Sequence, residues 1–195
     1  MQREHVLSTA LALLEKQGFA TTTFDMLTEK LTEKLGVTSV DMKPFWPNRE
    51  ALLYDCLRYH GQQIDTWRRK LQLDESLSAE QKLLARYDVL AEHVRNERYP
   101  GCLFIAACSF FPERDHSIHQ LAEQQKLTSL KFTRDLLREV DIDNPDSVAQ
   151  QMELVQEGCL SKLLVKRQLQ DVAVAKQLAE DILHIAQCRK FGALS

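Results

Sequence analysis

Glycine and proline are scarce, six and five among 195 residues, and runs of β-branched residues are almost absent. Leu, Ala, Glu, Gln, Lys and Arg dominate instead, which favours helix over strand throughout. No apolar stretch approaches the roughly 20 residues needed to cross a bilayer. The opening MQREHVLSTALALLEKQGF is amphipathic and carries acids, unlike a signal peptide, so a soluble, cytoplasmic chain with no membrane partner is expected. The five cysteines, Cys56, Cys102, Cys108, Cys159 and Cys188, are odd in number, widely spread and without a CxxC spacing. Neither a disulfide framework nor a zinc cluster is indicated by that pattern. Charge of one sign is lacking too: 25 Lys and Arg against 28 Asp and Glu give a net charge of -3, so nothing global pulls the chain toward nucleic acid. No GxSxG, P-loop, GxGxxG or HExxH occurs, and an enzyme reading has no residues to name.

What is present is length enough for one small head and one larger body. A chain of this size buries roughly 70% of the surface its unfolded form exposes, so its core needs neither disulfide nor metal. From Arg3 to Lys16 the residues Val6, Leu7, Ala10, Leu11, Leu13 and Leu14 recur at helical spacing, and Gly18 follows where a left-handed residue would end the helix. Thr22 or Thr23 can cap a second helix carrying Phe24, Leu27, Leu31 and Leu35, which Gly36 breaks. Thr38 and Asp41 have the spacing of a capping box and open a short third helix that Pro44 and Pro47 limit. Asn48 caps a long fourth helix, roughly 49–71.

A fifth helix begins at Ser78 and runs toward Asn96, and RYPGC at Arg98 to Cys102 breaks the chain. CLFIAACSFF, Cys102 to Phe111, is apolar on all sides; it predicts a buried central helix, with a buried strand as the alternative. His116 to Val140 reads as a long helix after Pro112. Two more, about 146–168 and 171–191, carry the stripes Val148, Met152, Val155, Cys159, Leu163 and Val174, Leu178, Ile182, Ile185. Such stripes are either intramolecular core or the seam of a four-helix bundle with a second copy. The sum is an all-α chain of about nine helices.

The pieces ALALLEKQGFATTT, LGVTS and FWPNREALL follow one another between Ala10 and Leu53. In this order they resemble the head of the TetR/AcrR family of transcriptional regulators. Farther on, YPGCLFIAA followed by HSIHQLAEQQK resembles a less-studied enterobacterial branch of that family, so the likeness covers the whole chain. The resemblance implies a helix-turn-helix DNA-binding domain over 1–50 and an effector-binding and dimerisation domain over 51–195. It implies a homodimer on a pseudo-palindromic operator of double-stranded DNA, acting as a repressor that answers to an unidentified small molecule, with no cofactor.

Carried over residue by residue, the resemblance assigns Thr38, Ser39, Met42 and Lys43 to the helix that enters the major groove, and Thr22, Thr23 and Arg49 to phosphates. The dimer seam would use Met152, Val155, Cys159, Leu163, Val174, Leu178, Ile182 and Ile185. An effector pocket would be walled by Tyr87, Phe104, Cys108, Phe111 and Phe132, which are equally readable as ordinary core. Three features depart from the family. LTEKLTEK at Leu27 to Lys34 repeats four residues, which adds about 6 Å and roughly 40° to helix two if it is helical throughout, or else forms a loop or bulge. Pro44 stands where a helix interior is expected. Lys43 replaces a tyrosine, and Val40 a frequent glycine.

His116 and His119, with Cys102 and Cys108 upstream, make a metal site conceivable, but a third ligand at regular spacing is missing and no metal is expected. The competing reading of the whole is a helical ligand-binding or protein-interaction module whose helix-turn-helix has lost operator binding.

Overall fold

The computed structural model describes residues 3–98, 101–190 and 192. Nine α-helices are found among the described residues: α1 Arg3–Gln17, α2 Phe24–Leu35, α3 Ser39–Met42, α4 Arg49–Leu73, α5 Ala79–Arg95, α6 Leu103–Phe110, α7 Ser117–Val140, α8 Pro145–Val165 and α9 Leu169–Lys190. The all-α expectation holds, and no described helix is long and apolar enough to cross a membrane. Tyr99 and Pro100 of the expected break, and Phe191 at the end of the last helix, lie outside the described residues.

Local chemistry sets the helix ends. Gly18 and Gly36 take φ of +78° and +65°, the left-handed region that closes α1 and α2 and that side chains with a Cβ resist. Thr23 accepts the Met26 backbone N–H at 3.2 Å, Asn48 that of Ala51 at 2.9 Å, and Ser78 that of Gln81 at 3.2 Å. Each satisfies a donor the helix itself leaves over.

The chain divides into two compact units. The first holds residues 1–66 and 102–125, thus α1 to α3, most of α4, α6 and the start of α7. Its buried residues include Leu11 and Leu14 of α1, Leu27 and Leu31 of α2, Met42, Trp46, and Leu52, Leu53, Cys56 and Leu57 of α4. In α6 the expectation of burial on all sides is corrected. The segment is a helix, but only Leu103, Phe104 and Ala107 are buried, while Ile105 and Phe110 are exposed. An all-apolar sequence carries no periodicity to say which face turns inward.

The second unit holds residues 67–101 and 126–195. One apolar cluster joins Leu71 of α4, Leu83, Tyr87 and Leu90 of α5, Phe132 and Leu136 of α7, Met152, Cys159 and Leu163 of α8, and Val172, Ala179 and Leu183 of α9. The stripes read in α8 and α9 therefore divide between core and surface. Met152, Cys159 and Leu163 are buried and Val155 and Ile182 half-buried, whereas Val174, Leu178 and Ile185 are exposed.

Candidate nucleic-acid interface

The first three helices form a helix-turn-helix whose turn is Gly36, Val37 and Thr38. Thr32 at the end of α2 holds that turn, its hydroxyl donating to the Val37 carbonyl at 2.8 Å. The repeated LTEK is helical throughout: Leu27 and Leu31, four residues apart, are both buried, and Leu35 one turn later is exposed. The extra turn is thus part of a continuous α2, with no loop or bulge, and its Leu31 is held in the core.

α3 is four residues long, and the reason is Pro44. Lys43 still donates its backbone N–H to Ser39, but proline has no N–H to continue the ladder, and Phe45 and Trp46 both turn back to the Met42 carbonyl. The start of α3 is pinned by Asp41, whose carboxylate accepts the Thr38 backbone N–H at 2.9 Å and its hydroxyl at 2.7 Å. The hydroxyl and backbone hydrogen bonds from Thr38 hold the Asp41 carboxyl below its ordinary range. Met42 faces the core with no exposure, and Val40, about 200° around the helix from it, is 74% exposed. Ser39 and Lys43 are exposed on the same short segment.

Behind α3 an anchor is built on Asp55 of α4. It accepts the Trp46 indole N–H at 2.9 Å and pairs with Arg3 at 2.8 Å and Arg58 at 3.3 Å. The Arg3 guanidinium also lies over the Phe45 and Trp46 rings, 5.2 and 5.5 Å from their centroids. Phe45 is half-exposed and Trp46 is fully buried.

Several residues expected at phosphates are used inside the unit. Thr22 is buried, its hydroxyl donating to the Gly18 carbonyl at 2.7 Å. Arg49 donates through Nε to the Thr22 carbonyl at 3.0 Å and through Nη2 to the Phe19 carbonyl at 2.7 Å, and lies 5.9 Å from the Phe110 ring centroid. Those carbonyls belong to the link between α1 and α2, so Arg49 ties that link to the start of α4. Thr23 is exposed and caps α2. Sequence reasoning could not see the Arg49 partners, which stand 27 and 30 residues away.

His116 and His119 have other partners than a metal. The His116 Nε2 stands 3.1 Å from the Glu50 carboxylate and its ring stacks on Phe111 at 4.6 Å, while the His119 Nδ1 lies 2.7 Å from the Phe111 carbonyl. The expected pocket residues are distributed: Phe104, Cys108 and Phe111 lie in the first unit, Tyr87 and Phe132 in the second.

The second unit contains a buried polar bridge that the sequence did not announce. Arg86 of α5 donates to Glu153 of α8 at 2.6 Å, to Gln156 at 2.7 Å and to the Thr133 hydroxyl of α7 at 2.5 Å. Thr133 donates in turn to Glu153 at 2.8 Å, and Lys126 pairs with Glu157 at 2.6 Å. Burial pushes the Glu153 carboxyl up, but the charge of Arg86, hydrogen bonds from Arg86 and Thr133, and Lys126 together hold it below its ordinary value. The available signal was a charged residue at a core-facing spacing, Arg86 between Leu83 and Leu90. Next to it Tyr87 is 1% exposed with no partner for its hydroxyl among the described residues, and burial raises that phenol to about 12.

Among solved structures the fold is shared with the TetR transcriptional regulator from Legionella pneumophila, at a TM-score of 0.79 and 19% identity, covering 93% of this chain and 96% of that one. It is shared equally with SCO4454, a TetR-family regulator from Streptomyces coelicolor, at a TM-score of 0.80 and 17% identity over 95% of each chain. No family model matches the sequence. A curated helix-turn-helix transcriptional regulator, however, is 57% identical over 195 residues and 100% of both chains, so the chain belongs to the family of that HTH-type transcriptional regulator, and its fold is the one shared by TetR-family regulators. That relative is YjdC of Escherichia coli (strain K12), and YjdC of Shigella flexneri matches to the same extent.

Proposed function

We propose that the chain is a cytoplasmic, homodimeric repressor whose two heads, residues 1–50, occupy successive major grooves of a pseudo-palindromic operator, and whose body, 51–195, releases the DNA when a small molecule binds. The observation that carries this reading is the outward face of α3, where Ser39, Val40 and Lys43 are exposed while Met42 and Trp46 hold the segment from behind. Thr23, at the start of α2, stands where a phosphate would meet a helix N-terminus, whereas at the start of α3 the Thr38 N–H and hydroxyl are taken by Asp41. Lys34 and Lys43 are exposed, without an ion pair among the described residues, and supply the cations for backbone contact.

Pairing of two copies would run along the outward stripes of α8 and α9, with Val174, Leu178 and Ile185 facing the partner beside Leu154 and Val165, which are 68% and 90% exposed. The effector would be met in the body near Tyr87 and Phe132, where the orphaned Tyr87 hydroxyl offers a donor that only a guest or a water can satisfy. Its binding favours a dimer whose head separation no longer fits the half-sites.

One observation favours the competing module that has lost operator binding: Arg3 and Arg49, two of the head's cations, are committed to Asp55 and to backbone carbonyls. Fluorescence anisotropy with a labelled duplex of the DNA beside the chain's own gene separates the two. A complex that resists non-specific competitor at moderate salt is expected; equal displacement by any duplex would favour the module.

A further inference from the structure

We infer that Val40 reads the C5-methyl group of a thymine, so that each operator half-site carries an A·T pair fixed by an apolar contact rather than by a hydrogen bond. Val40 occupies the position of α3 most directly opposed to the buried Met42, about 200° around the helix axis, and is 74% exposed. With Met42 holding the back of α3 to the head, that direction is the one that meets base edges when the helix lies in a major groove. A valine offers no donor or acceptor there. The thymine methyl is the apolar feature that the major-groove edges of the four bases present to it.

The polar groups of Asp41 and Thr38 do not compete for the same base. The Asp41 carboxylate is occupied by the backbone N–H and hydroxyl of Thr38 at 2.9 and 2.7 Å, and the Thr38 hydroxyl is spent on that bond. Pro44 ends the helix directly after Lys43, so beyond that lysine, which the reading above assigns to the DNA backbone, no later turn of α3 carries a longer side chain into the groove. A four-residue helix with one large apolar group at its outermost point thus reads shape and methyl more than hydrogen-bond pattern. The valine is also costly to leave in water, which a contact on DNA would offset.

The test needs no prior operator. Duplexes are enriched from a random-sequence pool by the full-length chain, and the winners are remade with deoxyuridine for thymidine at one position at a time, which removes the methyl and nothing else. In each half-site one thymine is expected whose replacement weakens binding about fourfold, or roughly fifteenfold when both half-sites are changed. Val40→Ala, at an exposed site, should bind the thymine duplex less well and show a smaller preference for thymine over uracil. Tolerance of uracil at every position by the unaltered chain overturns the inference, as does an undiminished uracil penalty in Val40→Ala. A pool with no preferred duplex overturns it together with the operator-binding reading on which it rests.

Discussion

At the residue scale the balance between burial and pairing is sharpest at Arg86 and Glu153. Both are buried, and removing one member leaves the other charged and uncompensated, a loss of about 3–5 kcal/mol in comparable sites. Because the folded Glu153 carboxyl titrates below its unfolded value near 4.5, its contribution is in force above that pH and disappears as the pH falls through the lower folded value. Glu153→Gln should therefore be less stable than the parent chain at pH 7 and nearly equal to it in strong acid. Urea unfolding at a series of pH values checks this, and parallel stability curves would contradict it. Tyr87 is the complementary case: Tyr87→Phe removes an orphaned hydroxyl from the core and should leave unfolding unchanged or raise its midpoint, since an unsatisfied buried hydroxyl costs about 1–3 kcal/mol.

At the scale of elements, the helix boundaries were legible because each rests on a local rule. Gly18 and Gly36 supply left-handed ends, Thr23, Asn48 and Ser78 supply caps, and Pro44 limits α3, all readable without knowing what lies across the chain. The features that were not legible depend on partners distant in sequence. Arg49 turns inward to carbonyls of the α1–α2 link, Met42 points to the core while Val40 points out, and Arg86 finds Glu153 across 67 residues. The apolar segment of α6 lacked any periodicity from which its buried face could be chosen. The repeat in α2 gives a test at this scale. Deleting residues 31–34 shortens α2 by about 6 Å and rotates the turn and α3 by roughly 40° relative to the start of α2. If the longer helix belongs to a working head, the deletion should weaken operator binding at least tenfold in the anisotropy assay; a strong gain would mean that the repeat had disabled the head.

At the scale of the whole molecule, the exposed apolar residues of α8 and α9 set the expectation. Val174, Leu178 and Ile185 follow one face of α9, and leaving such a stripe in water is unfavourable. The chain should run as a dimer by light scattering coupled to size exclusion, and Leu178→Glu combined with Ile185→Glu should give a folded monomer that loses operator affinity by two or more orders of magnitude, because one head forfeits the contacts of the other. The measurement that bears most directly on the account is the sequence pattern of the duplexes that the full-length chain enriches from a random pool. An inverted repeat is expected, of two short half-sites whose centres lie on one face of the duplex, about one or more whole helical turns apart. Enrichment of no sequence, or of a single motif without its inverted copy, would contradict it.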